Sequence, residues 1–271
     1  MGALDVITRM LRPGDEVITG DDLYGGSHRL LTHMATNQGI IVHHVDTTDL
    51  DCIVDIISIS RLAHEVNEKV VVVVDNTMLS PVLSNPLDLG ADIVYESGTK
   101  YLSGHHDIMA GVIACNDSSL ADKLYFTINS TGCGLSPNDS FLLMRGVKTL
   151  AIRMEKQQAN AQEIAEFLEN RGFRRIVEAA RLWAISVSFG CVNSLISMPC
   201  QMSHASIDAK TREERQMPED IIRLCVGIED VSDLIEDLST ALVQSGSVTV
   251  TLDGFHATGK AKELGQTPLT R

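Results

Sequence analysis

Positive charge is in short supply in this sequence. Against 36 Asp+Glu stand 22 Lys+Arg, a net charge of −14, which repels nucleic-acid phosphates and anionic lipid and argues against both kinds of partner. Long apolar runs are missing too. The longest aliphatic stretch, Val70 to Val74, is far short of the ~20 residues that span a bilayer, so it reads as a buried strand. The opening residues show no basic-then-apolar leader, and Met1-Gly2-Ala3-Leu4-Asp5-Val6 has Val6 where an N-myristoylation signal needs Ser or Thr. Neither export nor a membrane anchor is expected. The six cysteines form no CxxC and no Cys/His cluster, which points away from zinc and from a disulfide framework, toward reduced thiols in the cytosol. Internal repeats are lacking, and no GxGxxG or Walker glycine pattern sits at a strand-to-helix junction, which weakens a nucleotide-binding reading.

What remains is an ordinary globular composition. The chain has 271 residues, 44% hydrophobic and 21% charged, enough for a sizeable core and a little under two average domains at about 150 residues each. Helix-like and strand-like segments alternate through the first third. Ala3 to Leu11 has helical spacing, Pro13-Gly14-Asp15 breaks it, and Glu16 to Thr19 reads as a strand. Asp21 or Asp22 can cap a helix through Leu31, which Gly39 stops before an Ile40 to Val45 strand. Ile53 to Val66 reads as helix, and strands follow at Val70 to Asp75, Ala91 to Tyr95 and Ala110 to Ala114. Such alternation predicts an α/β fold with a mostly parallel sheet and helices on both faces.

A bend rich in Gly, Pro and Asn, Thr131 to Asn138, opens a long helical stretch to about Glu169, in which Ile164, Phe167 and Leu168 share one face. Beyond Trp183 the pattern runs strand (Ala184 to Ser188), loop, strand (Arg223 to Ile228) and helix (Val231 to Val243), a smaller α+β domain. Residues 1–150 are therefore expected to form a large domain, 151–256 a small one and 257–271 a tail, with looseness from Gly254 onward.

The chemistry centres on Lys100. It lies in Ser97-Gly98-Thr99-Lys100-Tyr101, directly after the second buried strand, while Asp75 ends the first. Ligands of open α/β sheets sit at such strand ends. An amine beside a carboxylate there suits a cofactor with an aldehyde and a basic ring nitrogen, pyridoxal phosphate, with Lys100 as its Schiff base and Asp75 on the pyridinium. A Schiff-base aldolase or a nucleotide-binding enzyme is the other reading of the same residues. His105-His106-Asp107 tempts a metal assignment, but adjacent histidines in a glycine turn lack ligand spacing, so local hydrogen bonding is expected and no metal.

Four blocks then occur in order: Asp22-Leu23-Tyr24-Gly25-Gly26-Ser27-His28-Arg29, Val74-Asp75-Asn76-Thr77, Ser97 to His105, and Arg223-Leu224-Cys225-Val226-Gly227-Ile228-Glu229-Asp230. Together they resemble the Cys/Met-metabolism family of pyridoxal-phosphate enzymes, over nearly everything from Met1 to about Val243. Phe189 to Cys200 and Met202-Ser203-His204-Ala205-Ser206 are most similar to the cystathionine β-lyase branch of plants and fungi; γ-lyases and γ-synthases usually carry Glu where Asn193 stands.

The resemblance implies an aspartate-aminotransferase-like fold, assembly as a homo-oligomer, dimer or tetramer, and an amino-acid substrate. It implies α,β-elimination of L-cystathionine to homocysteine, pyruvate and ammonia, a transsulfuration step of methionine biosynthesis. Lys100 would hold the cofactor and move the Cα proton, and Asp75 would keep the ring nitrogen protonated. Tyr24 would stack on the ring, and Ser97, Thr99 and the backbone of Met1 and Gly2 would take the phosphate. Arg223 would clamp the substrate carboxylate with help from Ser194. Each also has a plain structural reading: a solvated lysine, a turn-capping aspartate, a core tyrosine, turn hydroxyls, a surface ion pair, a loop serine.

Departures from the family pattern are equally specific. The family carries a stretch before Met1, a strand with a Glu-x-Pro-x-Asn-Pro loop between Cys52 and Ile53, and a segment between Arg175 and Ile176. Losing an interior strand unpairs backbone groups on both neighbours, at roughly 1 to 3 kcal/mol for each group buried unsatisfied. A chain that no longer catalyses, either unfolded or surviving as a non-catalytic partner of a full-length homologue, is the competing expectation, and a cystathionine γ-lyase or γ-synthase the further alternative.

Overall fold

Three strands organise the first part of the chain: β3 (Val73–Asp75), β4 (Ile93–Ser97) and β5 (Gly111–Cys115). β3 and β4 run parallel, with Val73 opposite Ile93 and Asp75 opposite Tyr95. β5 returns antiparallel, pairing Ile93 with Cys115 and Ser97 with Gly111. The short link from Ser97 to Gly111 leaves and re-enters at the same sheet end, which forces that direction. Side chains alternate between the faces. Val73, Ile93, Tyr95, Ile113 and Cys115 join the core around Val6, Ile7 and Leu124, contributed by α1 (Gly2–Thr8) and α5 (Ser118–Thr131). Val94, Glu96, Val112 and Ala114 take the other face, toward α6 (Pro137–Val147) and the short α4 (Ser80–Leu83).

The computed structural model describes residues 1–20, 23–45, 55–169, 180–186, 188–202, 218, 221–245, 248–251 and 254–257. The expected caps Asp21 and Asp22, the start of the Ile53 helix, Cys52, and the blocks at Arg174 to Glu178 and Ser203 to Ser206 lie outside them. Among the described residues, β1 (Glu16–Gly20) and β2 (Ile41–Val45) pair in parallel as a separate sheet, with α2 (Gly25–Arg29) and a following π-type turn between them. The expected mostly parallel sheet is thus corrected to small mixed ones. Three described pairs are parallel and three antiparallel.

β3 is shorter than the valine run implies, and Val70 and Val71 are exposed. Among the described residues β3 has a strand partner on one side only, so no second neighbour buries them. α3 (Ile56–Val66), capped by Asp55 accepting from the Ser58 amide at 3.2 Å, tells the same story. It is strongly amphipathic, yet Ile59, Leu62 and Val66 face outward and Ser60 is its buried residue.

The expected long helix after the glycine bend is two, α6 and α7 (Leu150–Glu169). The Thr149 hydroxyl and amide both bond the Gly146 carbonyl at 3.1 Å, so the side chain competes for the backbone acceptor and ends the helix. By its internal contacts the chain divides into Met1–Leu150 and Ala151–Arg271.

In the second unit Trp183, 1% exposed, packs with Ile164, Ile196, Leu234, Leu238 and Leu242. Phe167 and Leu168 flank this cluster, so the shared face of α7 is buried as its spacing predicts. β6 (Ala184–Ile185), β7 (Leu195–Ser197) and β8 (Arg223–Cys225) form its sheet, and α8 (Val231–Gln244) covers it, its N-terminus capped by Asp230. β7 replaces an expected loop. β9 (Val248–Thr251) and β10 (Gly254–Ala257) pair antiparallel, so residues 254–257 are strand rather than the expected loose tail; residues 258–271 lie outside the described set. No described helix is long and apolar enough to cross a membrane.

Candidate active site

The carboxyl ends of β3 and β4 bring four predicted residues together. Asp75 is the last residue of β3, and Ser97 the last of β4. Thr99 and Lys100 follow in a π-type turn, Gly98–Leu102, in which the Lys100 backbone leaves helical geometry at φ −89°, ψ −127°. That local break turns the chain at the lysine, whose carbonyl accepts from the Gly104 amide at 2.8 Å. Gly98 is required here. A Cβ on it would lie 2.9 Å from the Ala110 side chain, and the Ala110 amide donates to the Thr99 hydroxyl at 3.0 Å.

A hydrogen-bonded line joins the two strand ends. The Ser97 amide donates to the Thr77 hydroxyl at 2.9 Å, and the Thr77 hydroxyl and amide both donate to Oδ1 of Asp75, the amide at 3.0 Å. Across the sheet, the Tyr95 hydroxyl bonds the Asp75 carboxylate and meets Ser27 of α2. Burial pushes the Tyr95 phenol far above its ordinary pKa; the charge of Asp75 and its hydrogen bond add to the shift, and the Ser27 bond opposes it. The phenol therefore stays protonated and can only donate to Asp75.

Thr77 and Tyr95, which contact Asp75, are residues that the sequence reading did not single out. Thr77 stood inside a quoted block, and its hydroxyl two positions after an aspartate is a recognisable turn signal. Tyr95 depends on strand register, which local pattern does not contain.

The remaining first-unit residues gather by close approach. Tyr24 precedes α2, is 69% exposed, and lies with its ring against Gly26, where a Cβ would be 2.6 Å from Tyr24 Cε1 and 2.8 Å from Met1 Sδ. Met1 and Gly2 open α1, beside Ala3, which packs against Gly111, the cross-strand partner of Ser97. Side chains added at Gly2 or Gly25 would meet open space. An amine, a carboxylate, two hydroxyls, an exposed aromatic ring and glycine-bared backbone fit the aldehyde, ring nitrogen, ring face and phosphate of pyridoxal phosphate.

Arg223 and Ser194 belong to the second unit. Arg223 starts β8, with its guanidinium 5.9 Å from the Phe189 ring centroid and a 3.4 Å bond to the Ser188 carbonyl. Ser194 is 0% exposed. Its amide and hydroxyl donate to Glu229 at 2.6 and 2.9 Å, and its hydroxyl accepts from the Gly227 amide at 2.9 Å. Two amides of α7 hold the same loops: Gln157 bonds the Cys191 carbonyl at 2.7 Å, and Asn160 bonds the Glu229 carbonyl at 2.9 Å. Near Lys100, His105 Nδ1 lies 2.6 Å from the Ser103 carbonyl, and the Ser103 hydroxyl donates to Asp107 at 3.0 Å.

Comparison with known proteins bears on this arrangement. The profile of the family described as "Cys/Met metabolism PLP-dependent enzyme" matches residues 1–54, 50–173 and 170–243. A cystathionine beta-lyase of Neurospora crassa is 67% identical over 317 residues, covering 95% of this chain and 69% of the relative. That stretch is longer than the chain, so the relative carries residues without counterparts here. A cystathionine beta-lyase of Schizosaccharomyces pombe is 42% identical, covering 90% of this chain and 78% of its own. Among solved structures, a cystathionine gamma-lyase of Lactobacillus plantarum complexed with L-serine superposes with a TM-score of 0.85 at 28% identity, covering 90% of this chain and 80% of that one.

Proposed function

Because the chain belongs to the Cys/Met metabolism family of PLP-dependent enzymes, we propose that it is a carbon–sulfur lyase performing α,β-elimination on L-cystathionine. The products are homocysteine, pyruvate and ammonia. The observation that carries this reading is the joined strand ends: Asp75, fixed by Thr77 and Tyr95, beside Ser97, Thr99 and Lys100. The names of the fungal relatives supply the substrate.

Bound pyridoxal phosphate supplies an aldehyde for the substrate amine and an electron-withdrawing ring that acidifies the Cα–H bond. Lys100 would hold that aldehyde through its amine and, once the substrate amine has taken its place, would accept the Cα proton. Asp75 holds a proton on the ring nitrogen. Its two donors, Thr77 and Tyr95, keep the carboxylate aimed, an arrangement fixed before substrate arrives. Tyr24 would cover the ring face, and the hydroxyls of Ser97 and Thr99 with the backbone nitrogens of Met1 and Gly2 would take the phosphate. The electron pair from Cα–H would expel the β-sulfur as a thiolate, which would take the proton that Lys100 removed, and water would convert the three-carbon remainder to pyruvate and ammonia. Arg223 orients the substrate carboxylate as a bidentate donor. Ser194, its hydroxyl committed to Glu229 and Gly227, contributes by shaping the loop that presents substrate.

In domain terms, the proposal makes residues 1–150 the cofactor-binding domain of an aspartate-aminotransferase-like fold and 151–256 the small α+β domain. It includes a homo-oligomer, for which the exposed Tyr125, Phe126 and Phe141 are contact candidates, and the cytosol, where the unpaired described cysteines would stay reduced. Purified protein with pyridoxal phosphate should develop a Schiff-base absorption band and release pyruvate from cystathionine. A folded protein that binds cofactor and yields no pyruvate would overturn the lyase assignment.

One observation favours a second reading, impaired catalysis. The family match is broken near residues 50–54 and 170–173, and the first break falls between β2 and β3, whose sheets are separate here. A cofactor band without turnover would be its signature.

A further inference from the structure

The β3-β4-β5 sheet has a second face, and it is hollow. A cavity of about 590 Å³ lies between its back and helices α4 and α6, within the ~300–1,000 Å³ range of small-molecule sites. Strand alternation separates it from the residues described above. Asp75, Tyr95 and Ser97 point one way, whereas Asn76, Val94, Glu96, Val112 and Ala114 line the cavity.

Its walls are mostly apolar, with one feature an idle core gap would not have. Glu96 is 5% exposed and presents a carboxyl to the cavity. Asn76 donates to its Oε1 at 2.9 Å while also bonding the Ser84 carbonyl at 3.0 Å, which fixes the carboxyl's position. No lysine, arginine or histidine lines the cavity, and no ion pair involves Glu96 among the described residues. A second acid, Asp88, lies on the wall. Burial raises the Glu96 pKa, the Asn76 bond opposes that, and the charge of Asp75 adds to it. A buried carboxylate without a countercharge is a costly arrangement that a bound cation relieves.

We propose that this cavity binds a small organic cation, whose ammonium pairs with Glu96 while its hydrocarbon body fills the apolar space between the sheet and α6. The site does not depend on the chemistry assigned to the front face. Because β4 carries both Glu96 and Ser97, occupancy behind the sheet touches the strand that leads into Lys100.

The test uses the full chain with pyridoxal phosphate present and a tertiary amine, which cannot condense with the cofactor: N,N-dimethyl-1-naphthylmethylamine, beside its neutral carbon isostere 1-isobutylnaphthalene. Calorimetric or fluorescence titration should show the amine binding at least about tenfold more tightly than the isostere, the difference expected of a charge-assisted contact. Glu96→Gln should remove that preference and leave binding of the isostere within about twofold of wild type. Ala114→Phe, which fills the cavity, should weaken both ligands while the protein remains folded by circular dichroism. Equal affinity for amine and isostere, amine binding unchanged in both variants, or no amine binding by the folded wild type would overturn the proposal.

Discussion

The two faces of the β3-β4-β5 sheet use the same strands for opposite ends. On the front, a hydrogen-bonded line joins the polar groups: the Ser97 amide to Thr77, Thr77 to Asp75, Asp75 to Tyr95, Tyr95 to Ser27. On the back, the buried carboxyl of Glu96 has a single amide partner among the described residues, in a mostly apolar hollow. A satisfied network fixes a charge where chemistry needs it, and a buried acid with one neutral partner leaves its charge to be matched. The contrast follows from period-2 alternation, since Tyr95, Glu96 and Ser97 are consecutive.

Breaking the front should have the largest effect. Asp75→Ala removes the carboxylate that Thr77 and Tyr95 hold, and should lower pyruvate formation on the order of 100-fold or more, measured at saturating cofactor. Next comes the support of the turn. A Cβ on Gly146 of α6 would lie 2.4 Å from the Ser103 carbonyl oxygen, so Gly146→Ala should destabilise by roughly 1 to 3 kcal/mol in urea unfolding. Tyr95→Phe deletes one donor to Asp75 and should cost about 0.5 to 1.5 kcal/mol. It should also shift the pH dependence of the cofactor band, which a purely packing role would leave in place.

The smallest change is on the back. A raised carboxyl pKa means the folded state holds the Glu96 proton more tightly than the unfolded one, so wild-type stability falls as pH rises through that folded pKa. Glu96→Gln, neutral at every pH, should therefore melt slightly above wild type at neutral pH. The gap should close as pH drops to the ordinary glutamate range. A variant less stable at neutral pH would contradict the assigned shift.

Much of the front was readable in one dimension. Strand-ending Asp75 and turn-borne Lys100 announce themselves by aliphatic runs and glycines, and Ile164, Phe167 and Leu168 by helical spacing. Cross-strand facts were not readable: Tyr95 opposite Asp75, and Glu96 on the hollow face, follow from register. Ser194 looked available as a loop serine, but Glu229, 35 positions away, already holds it. The expectation of one mostly parallel sheet failed where β1-β2 and β3-β4-β5 stay apart, leaving Val70, Val71 and the apolar side of α3 bare.

The most direct test of the front face is titration of the purified chain with pyridoxal phosphate, followed by absorbance in wild type and Lys100→Ala. The account predicts a Schiff-base band in wild type that survives Glu96→Gln and disappears in Lys100→Ala. A band of equal strength in the folded Lys100→Ala variant would contradict it.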